Sequence, residues 1–137
     1  MKKFFLGLVL LSMPVFNCFS SNLTTLNSTA ACEWCPNLQG ISLSDLTPGL
    51  KITSLKGASL KGAKLAGIDL SGADLQYTVL TDVDLTGANL SGANLSGALL
   101  ENTILTGAIL TGVTTSSNTY VCKNSVLASQ PNVTIVC

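Results

Sequence analysis

The sequence predicts a solenoid, a narrow tube in which the chain turns at short regular intervals and stacks on itself. Three observations point there. Leucine recurs at twelve consecutive positions spaced by five: Leu55, Leu60, Leu65, Leu70, Leu75, Leu80, Leu85, Leu90, Leu95, Leu100, Leu105 and Leu110. Two positions before each, the residue is mostly small: Ala at 58, 63, 73, 88, 93, 98 and 108, Thr at 53, 78 and 103, with Ile68 and Val83 larger. Two positions after each, nine of the twelve residues are glycine, which suits a tight corner. An α-helix advances about 100° per residue, so steps of five would scatter these leucines around its axis. A flat strand fails as well, because an odd step alternates faces. Only a chain that changes direction once per repeat aims every fifth residue the same way, and a fixed internal period is the mark of a solenoid.

The chain before the repeats opens like an export signal. Lys2 and Lys3 precede an apolar stretch over 4–16, broken only by Gly7, Ser12 and Pro14. That stretch is shorter than the roughly 20 residues a membrane-spanning helix needs. Cys18-Phe19-Ser20 offers a small-x-small cleavage pattern, so residues 1–20 are expected to be removed and Ser21 to begin the mature chain. Val15-Phe16-Asn17-Cys18 offers an alternative, lipoprotein processing at Cys18, with Phe16 and Asn17 standing where that motif wants small residues. A membrane is therefore a partner only if Cys18 is lipidated. The expected location is periplasmic or secreted.

Residues 21–37 read as a polar linker carrying a Cys-x-x-Cys segment, Cys32-Glu33-Trp34-Cys35. Without the signal, the cysteines number four (Cys32, Cys35, Cys122 and Cys137), an even count suited to an oxidising compartment. Five lysines then face seven carboxylates, a net charge of −2. Neither a nucleic-acid-binding surface nor a strongly acidic one follows from that balance. The chain has no histidine, which removes the base of a Ser-His-Asp or Cys-His mechanism and the usual imidazole ligands of catalytic zinc. It also lacks arginine, the bidentate fork for phosphate and guanine.

The units Ala58-Ser-Leu-Lys-Gly, Ala73-Asp-Leu-Gln-Tyr, Ala88-Asn-Leu-Ser-Gly and Ala93-Asn-Leu-Ser-Gly resemble those of the pentapeptide-repeat family. The resemblance implies an all-β fold, a right-handed quadrilateral β-helix with four repeats and twenty residues per coil. The strict block 53–112 then makes three coils. Leu38, Leu43 and Leu50 extend it upstream to nearly four, with a bulged corner around Thr47-Pro48-Gly49. The β-helix is thus expected over 38–112, about 18 Å long at roughly 4.8 Å per coil. Twenty-residue stacking places Leu55, Leu75 and Leu95 on one inner face, and Lys64 one rung from Asp84.

Both ends of such a tube need cover, and both are expected to contain a disulfide. Cys32–Cys35 with Cys122–Cys137 is favoured, because bonded cysteines need Cα atoms within about 7 Å and the other pairings would join opposite ends. Secreted members of the family often carry such flanking pairs; here Cys35 stands three residues before Leu38 rather than two. The outward position before each leucine is polar in the early coils and apolar in the last, with Leu99, Ile104 and Ile109. A capping tail over 113–137 is expected to cover them; the alternative is an end-to-end homodimer through the same residues.

No catalytic, cofactor-binding or metal-binding residue is expected. Asp82 and Asp84 share a corner, but a cation needs six or more oxygens. Lys51, Lys56, Lys61 and Lys64 wrap different faces without aromatic interleaving. Asn22, Asn27 and Asn132 head N-x-Ser/Thr triplets, which arise easily in a Ser/Thr-rich chain. The favoured function is an exported, non-enzymatic scaffold that binds a protein, glycan or surface partner. One alternative follows from the family's best-known members, which mimic B-DNA and block DNA gyrase. A second is a thiol-disulfide oxidoreductase using Cys32 and Cys35.

Overall fold

The computed structural model describes residues 18–35, 37–116, 119–121 and 133–135. From Leu55 to Leu95 each repeat leucine sends its N–H across to the next turn of chain. Leu55 donates to the carbonyl of Asp74 at 2.8 Å and Leu75 to that of Asn94 at 2.9 Å. In return, Asp74 N–H reaches back to the Thr53 carbonyl at 3.0 Å. The resulting parallel bridges run from Ser54 to Asp74 to Asn94, from Lys64 to Asp84 to Ile104, and likewise on the other sides. Each five-residue side thus pairs with the side twenty residues on.

Between sides the chain turns within four residues, with Ala58 N–H donating to the Leu55 carbonyl at 2.9 Å. The third residue of that turn needs a positive φ, and Gly57 supplies +66°. Asp or Asn just before a leucine fixes the next side: Asp74 Oδ1 accepts from Gln76 N–H at 3.0 Å, and Asn94 Oδ1 from Ser96 N–H at 3.0 Å. These short side chains close the local turn, a job longer polar residues do poorly.

The leucines fill the tube. Leu55 through Leu95 are completely buried, Leu100 and Leu105 nearly so, and Leu110 is partly buried at the far end. The small positions from Ala58 to Ala98 are buried beside them. Thr78 is buried too, and its hydroxyl donates to the Leu55 carbonyl at 2.9 Å, so the polar group inside is satisfied. Thr53 departs from the expected pattern: it is exposed, and Ile52 takes the interior.

Two features upstream differ from expectation. The stretch read as a polar linker carries helix α1 (Cys18–Thr29), whose first turn contains the expected signal cleavage point. Its Ser, Thr and Asn content gives little intrinsic helicity. The helix is held instead by docking, with Leu26 fully buried against the first turn of the tube. Asn27 pins it further, donating to the Asp45 carbonyl at 2.9 Å and accepting from Thr47 N–H at 2.8 Å. The second difference is Leu43, expected inside but 44% exposed. Its backbone keeps the rung, donating to the Lys64 carbonyl at 3.0 Å. The extra residues are taken up by a 3-10 turn over Leu43–Asp45 and a separate turn at Thr47-Pro48-Gly49, closed by Leu50 N–H on the Thr47 carbonyl at 3.0 Å, and Leu46 and Ile41 go inward instead.

At the other end, strand β1 (Leu99–Leu100) pairs in parallel with β2 (Thr119–Val121), and β2 with β3 (Val133–Ile135). The tail therefore continues the ladder on one side of the tube, the side carrying Leu99. Ile104 and Ile109 are about half exposed on the two following sides.

Replacing Leu80 by Ala is expected to lower the unfolding free energy by about 3 kcal/mol, within the span of 2–5 for buried leucines. Leu80→Asp, a charge with no partner inside, is expected to abolish folding. A folded, soluble Leu80→Asp protein by circular dichroism would overturn the inward placement.

Candidate functional site

The cysteine pair expected from sequence is present as a disulfide, with Cα atoms 5.6 Å apart. Its spacing has a structural logic. In every repeat, a leucine and the small residue three positions on are the two inward groups flanking a corner. Cys32 and Cys35 take those two places in the first turn of the tube, with Cys32 N–H on the Ser54 carbonyl and Ser59 N–H on the Cys35 carbonyl. Both are buried. Thiol exchange needs an accessible sulfur, helped by the positive end of a helix. Here the pair follows the carboxyl end of α1 instead. Cys122 and Cys137 lie outside the described residues.

The other sequence candidates are engaged by the chain itself. Asp82 Oδ1 accepts from Asn102 Nδ2 at 3.1 Å, and Asp84 Oδ1 accepts from Thr86 N–H at 2.9 Å. The Thr86 hydrogen bonds hold the Asp84 carboxyl below its ordinary range. Among the described residues, no three potential ligands converge on a metal position. Lys51 donates to Ser71 Oγ at 3.3 Å, and Asp69 is held low by Ser71 with a smaller contribution from Lys51. An open cleft of about 590 Å³ lies under the bulge, between Leu43, Leu46, Pro48 and Ile68. The charged residues at its edge, Lys51 and Asp69, are both engaged by Ser71. Asn27, a candidate glycosylation position, has both ends of its amide engaged by the bulge.

One grouping was invisible in the sequence. Trp34 and Tyr77 are 43 residues apart, yet they share one corner of the tube. Along that corner, successive turns present Trp34, Gly57, Tyr77 and Gly97. The two rings lie nearly parallel, 16° between planes, with centroids 6.3 Å apart. Each rests on the glycine of the next turn. A Cβ on Gly57 would come within 2.6 Å of Trp34 Cζ3, and one on Gly97 within 2.6 Å of Tyr77 Cε1. Trp34 is 61% exposed and Tyr77 49%.

Both aromatics hold a left-handed backbone, φ 55° at Trp34 and 57° at Tyr77. Asp82 and Asn102 do the same at their corners, but those residue types tolerate it; a bulky aromatic does not. Beside the rings stand polar side chains with fixed partners. Ser54 Oγ donates to Glu33 Oε1 at 3.0 Å, and Gln76 Nε2 donates to Asp74 Oδ2 at 3.2 Å.

Trp34 is the only tryptophan, so its fluorescence reports this corner alone. Gly62→Ala, whose Cβ meets nothing, is expected to cost about 1–2 kcal/mol from its positive φ and to leave the emission unchanged. Gly57→Ala should add displacement of the indole, read as a shift in emission. Equal spectra for the two variants would contradict the seating of Trp34 on Gly57.

The profile described as Pentapeptide repeats matches the chain in eight copies over residues 53–92 and 84–114. Among solved structures, the chain is similar to the pentapeptide repeat protein Rfr23 of the cyanobacterium Cyanothece 51142, at 25% identity and a TM-score of 0.28. That alignment covers 72% of this chain and 96% of the other. It is similar also to HetL of Nostoc sp. strain PCC 7120, a pentapeptide repeat protein involved in heterocyst differentiation regulation. There the identity is 30% and the TM-score 0.23, over 56% of this chain and 37% of HetL. A pentapeptide repeat protein of the Arabidopsis thaliana thylakoid lumen aligns at 29% identity and a TM-score of 0.17, covering 64% of each chain. No curated protein matches the sequence. Twelve unbroken five-residue units, the corner glycines and the matched profile agree: the chain belongs to the pentapeptide-repeat family.

Proposed function

We propose that the protein is an exported, non-enzymatic scaffold: about four coils of right-handed quadrilateral β-helix that hold an interaction surface rigid outside the cytoplasm. The observation that carries this reading is the exposed Trp34–Tyr77 corner, where two nearly parallel aromatic rings lie on the surface of the tube. Left-handed backbone at two bulky residues costs of order 1–3 kcal/mol each, and such outliers gather where a surface is used. Export is supported by Lys2, Lys3 and the apolar stretch that follows, and by the even number of cysteines beyond it. Lipid anchoring through Cys18 is the variant of the same reading.

The two alternatives draw less support. A gyrase-blocking DNA mimic wants a dense acidic surface, whereas the mature chain carries five lysines against seven carboxylates. An oxidoreductase wants an accessible Cys32 or Cys35, and both are buried. For the remaining cysteines we propose a Cys122–Cys137 bond. That pairing keeps each bond within one end of the chain, as bonded cysteines need Cα atoms within about 7 Å.

Cell fractionation with amino-terminal sequencing tests the reading. A mature chain beginning at Ser21 outside the cytoplasm is expected, or one beginning at a lipidated Cys18. A cytoplasmic protein that keeps residues 1–20 would overturn it. Non-reducing digestion of the exported protein should yield Cys32–Cys35 and Cys122–Cys137 peptides; a 35–122 or 32–137 link would refute the separate pairs.

A further inference from the structure

We infer that the Trp34–Tyr77 corner is a carbohydrate-binding site that stacks neighbouring pyranose rings of an uncharged linear glycan. The inference rests on the scaffold reading and names its ligand class.

The geometry narrows the ligand stepwise. Aromatic residues that anchor protein partners project into a pocket and are enclosed on binding. Trp34 and Tyr77 instead lie down on glycine backbone, so each has one side against the tube and the other toward solvent. Rings laid flat and nearly parallel accept a flat partner, and only by stacking.

Three kinds of flat or cationic partner stack on aromatics. A nucleobase arrives with phosphates, and the neighbouring outward positions hold Glu33 and Asp74 with a single lysine, Lys56. A quaternary ammonium ion is bound by aromatic side chains arranged as a cage. Two rings only 16° from parallel do not form one. A neutral pyranose remains. Its C–H face is apolar and its hydroxyls lie around the rim, so it needs an aromatic floor with hydrogen-bonding groups alongside.

That combination is present. Beside the rings on the adjoining side, successive turns offer Glu33, Ser54, Asp74, Gln76, Asn94 and Ser96. Four of these are already oriented by the Ser54–Glu33 and Gln76–Asp74 hydrogen bonds. The centroid separation of 6.3 Å suits consecutive sugars of one chain. The turns of the tube rise in the same direction as the rings are offset, so a linear glycan would run along the corner.

The test uses the full mature protein with cellohexaose and chitohexaose as soluble probes, and a dT10 oligonucleotide as a charged planar control. Titration calorimetry should give saturable binding to at least one hexaose and none to the oligonucleotide. Emission from Trp34 should change with the same midpoint. Trp34→Ala and Tyr77→Ala should each weaken binding about tenfold or more, the usual loss of one stacking contact. Tyr77→Gly guards against misfolding, because glycine is the ordinary corner residue here; it should melt no earlier than the parent and still bind at least tenfold more weakly. Failure of both hexaoses to bind at millimolar concentration would overturn the inference. So would binding indifferent to all three substitutions, or preference for the oligonucleotide. An exported protein that binds neither sugar sinks the glycan inference alone, whereas cytoplasmic retention sinks the scaffold reading and leaves sugar binding in vitro to stand on its own result.

Discussion

The hydrogen-bond ladder between turns of chain twenty residues apart governs the molecule. Once Leu55 N–H is fixed on the Asp74 carbonyl and Asp74 N–H on that of Thr53, adjacent turns can sit only one strand spacing apart. The inside of so narrow a tube admits two side chains per five-residue side, one large and one small. Leucine and alanine fill those places, and threonine enters only where its hydroxyl finds a carbonyl of the turn below, as Thr78 finds that of Leu55. The outside inherits the same discipline. Outward side chains stack in columns whose membership is set by the ladder, whatever their chemistry.

The same constraint explains why the ends look different from the middle. A ladder has no natural stop, and each end leaves backbone groups and leucines uncovered. At the entry, the Cys32–Cys35 disulfide replaces the leucine–alanine pair of a corner, and Leu26 of α1 covers the interior. At the exit, β2 and β3 add further parallel rungs above Leu99 and Leu100. One end changes to a helix, whereas the other continues the ladder at intervals of 21 and then 14 residues.

How much of this was readable in advance follows from what each part depends on. The leucine columns and corner glycines depend on a local five-residue rule, and twelve unbroken repeats state that rule plainly. The pairing of Cys32 with Cys35 was readable for a different reason, their closeness in the sequence. Helix α1 was not, because its twelve residues include few apolar ones and no helical stripe; it exists by docking Leu26 and Asn27. Leu43 misled because its backbone obeys the register while the bulge turns its side chain outward. The aromatic corner needed the offset between the first two turns. Cys32 pairs toward Leu55 across 23 residues rather than twenty, so nothing in a strict count of fives brings Trp34 above Tyr77. The signal was there in weaker form: Tyr77 interrupts a run of corner glycines.

The alternation of aromatic and glycine along that corner has a consequence for how the protein can change over evolutionary time. Because every turn presents the same interior, duplicating or deleting one twenty-residue unit leaves the packing inside undisturbed. The surface does not share this indifference. Each such event slides whatever lies above it by one strand spacing, about 4.8 Å, and exchanges the glycine under a ring for another residue. The tube therefore acts as a ruler with discrete marks. Distances between outward groups can be reset in whole steps by copying sequence, with no compensating substitution in the core, while any fractional adjustment is forbidden.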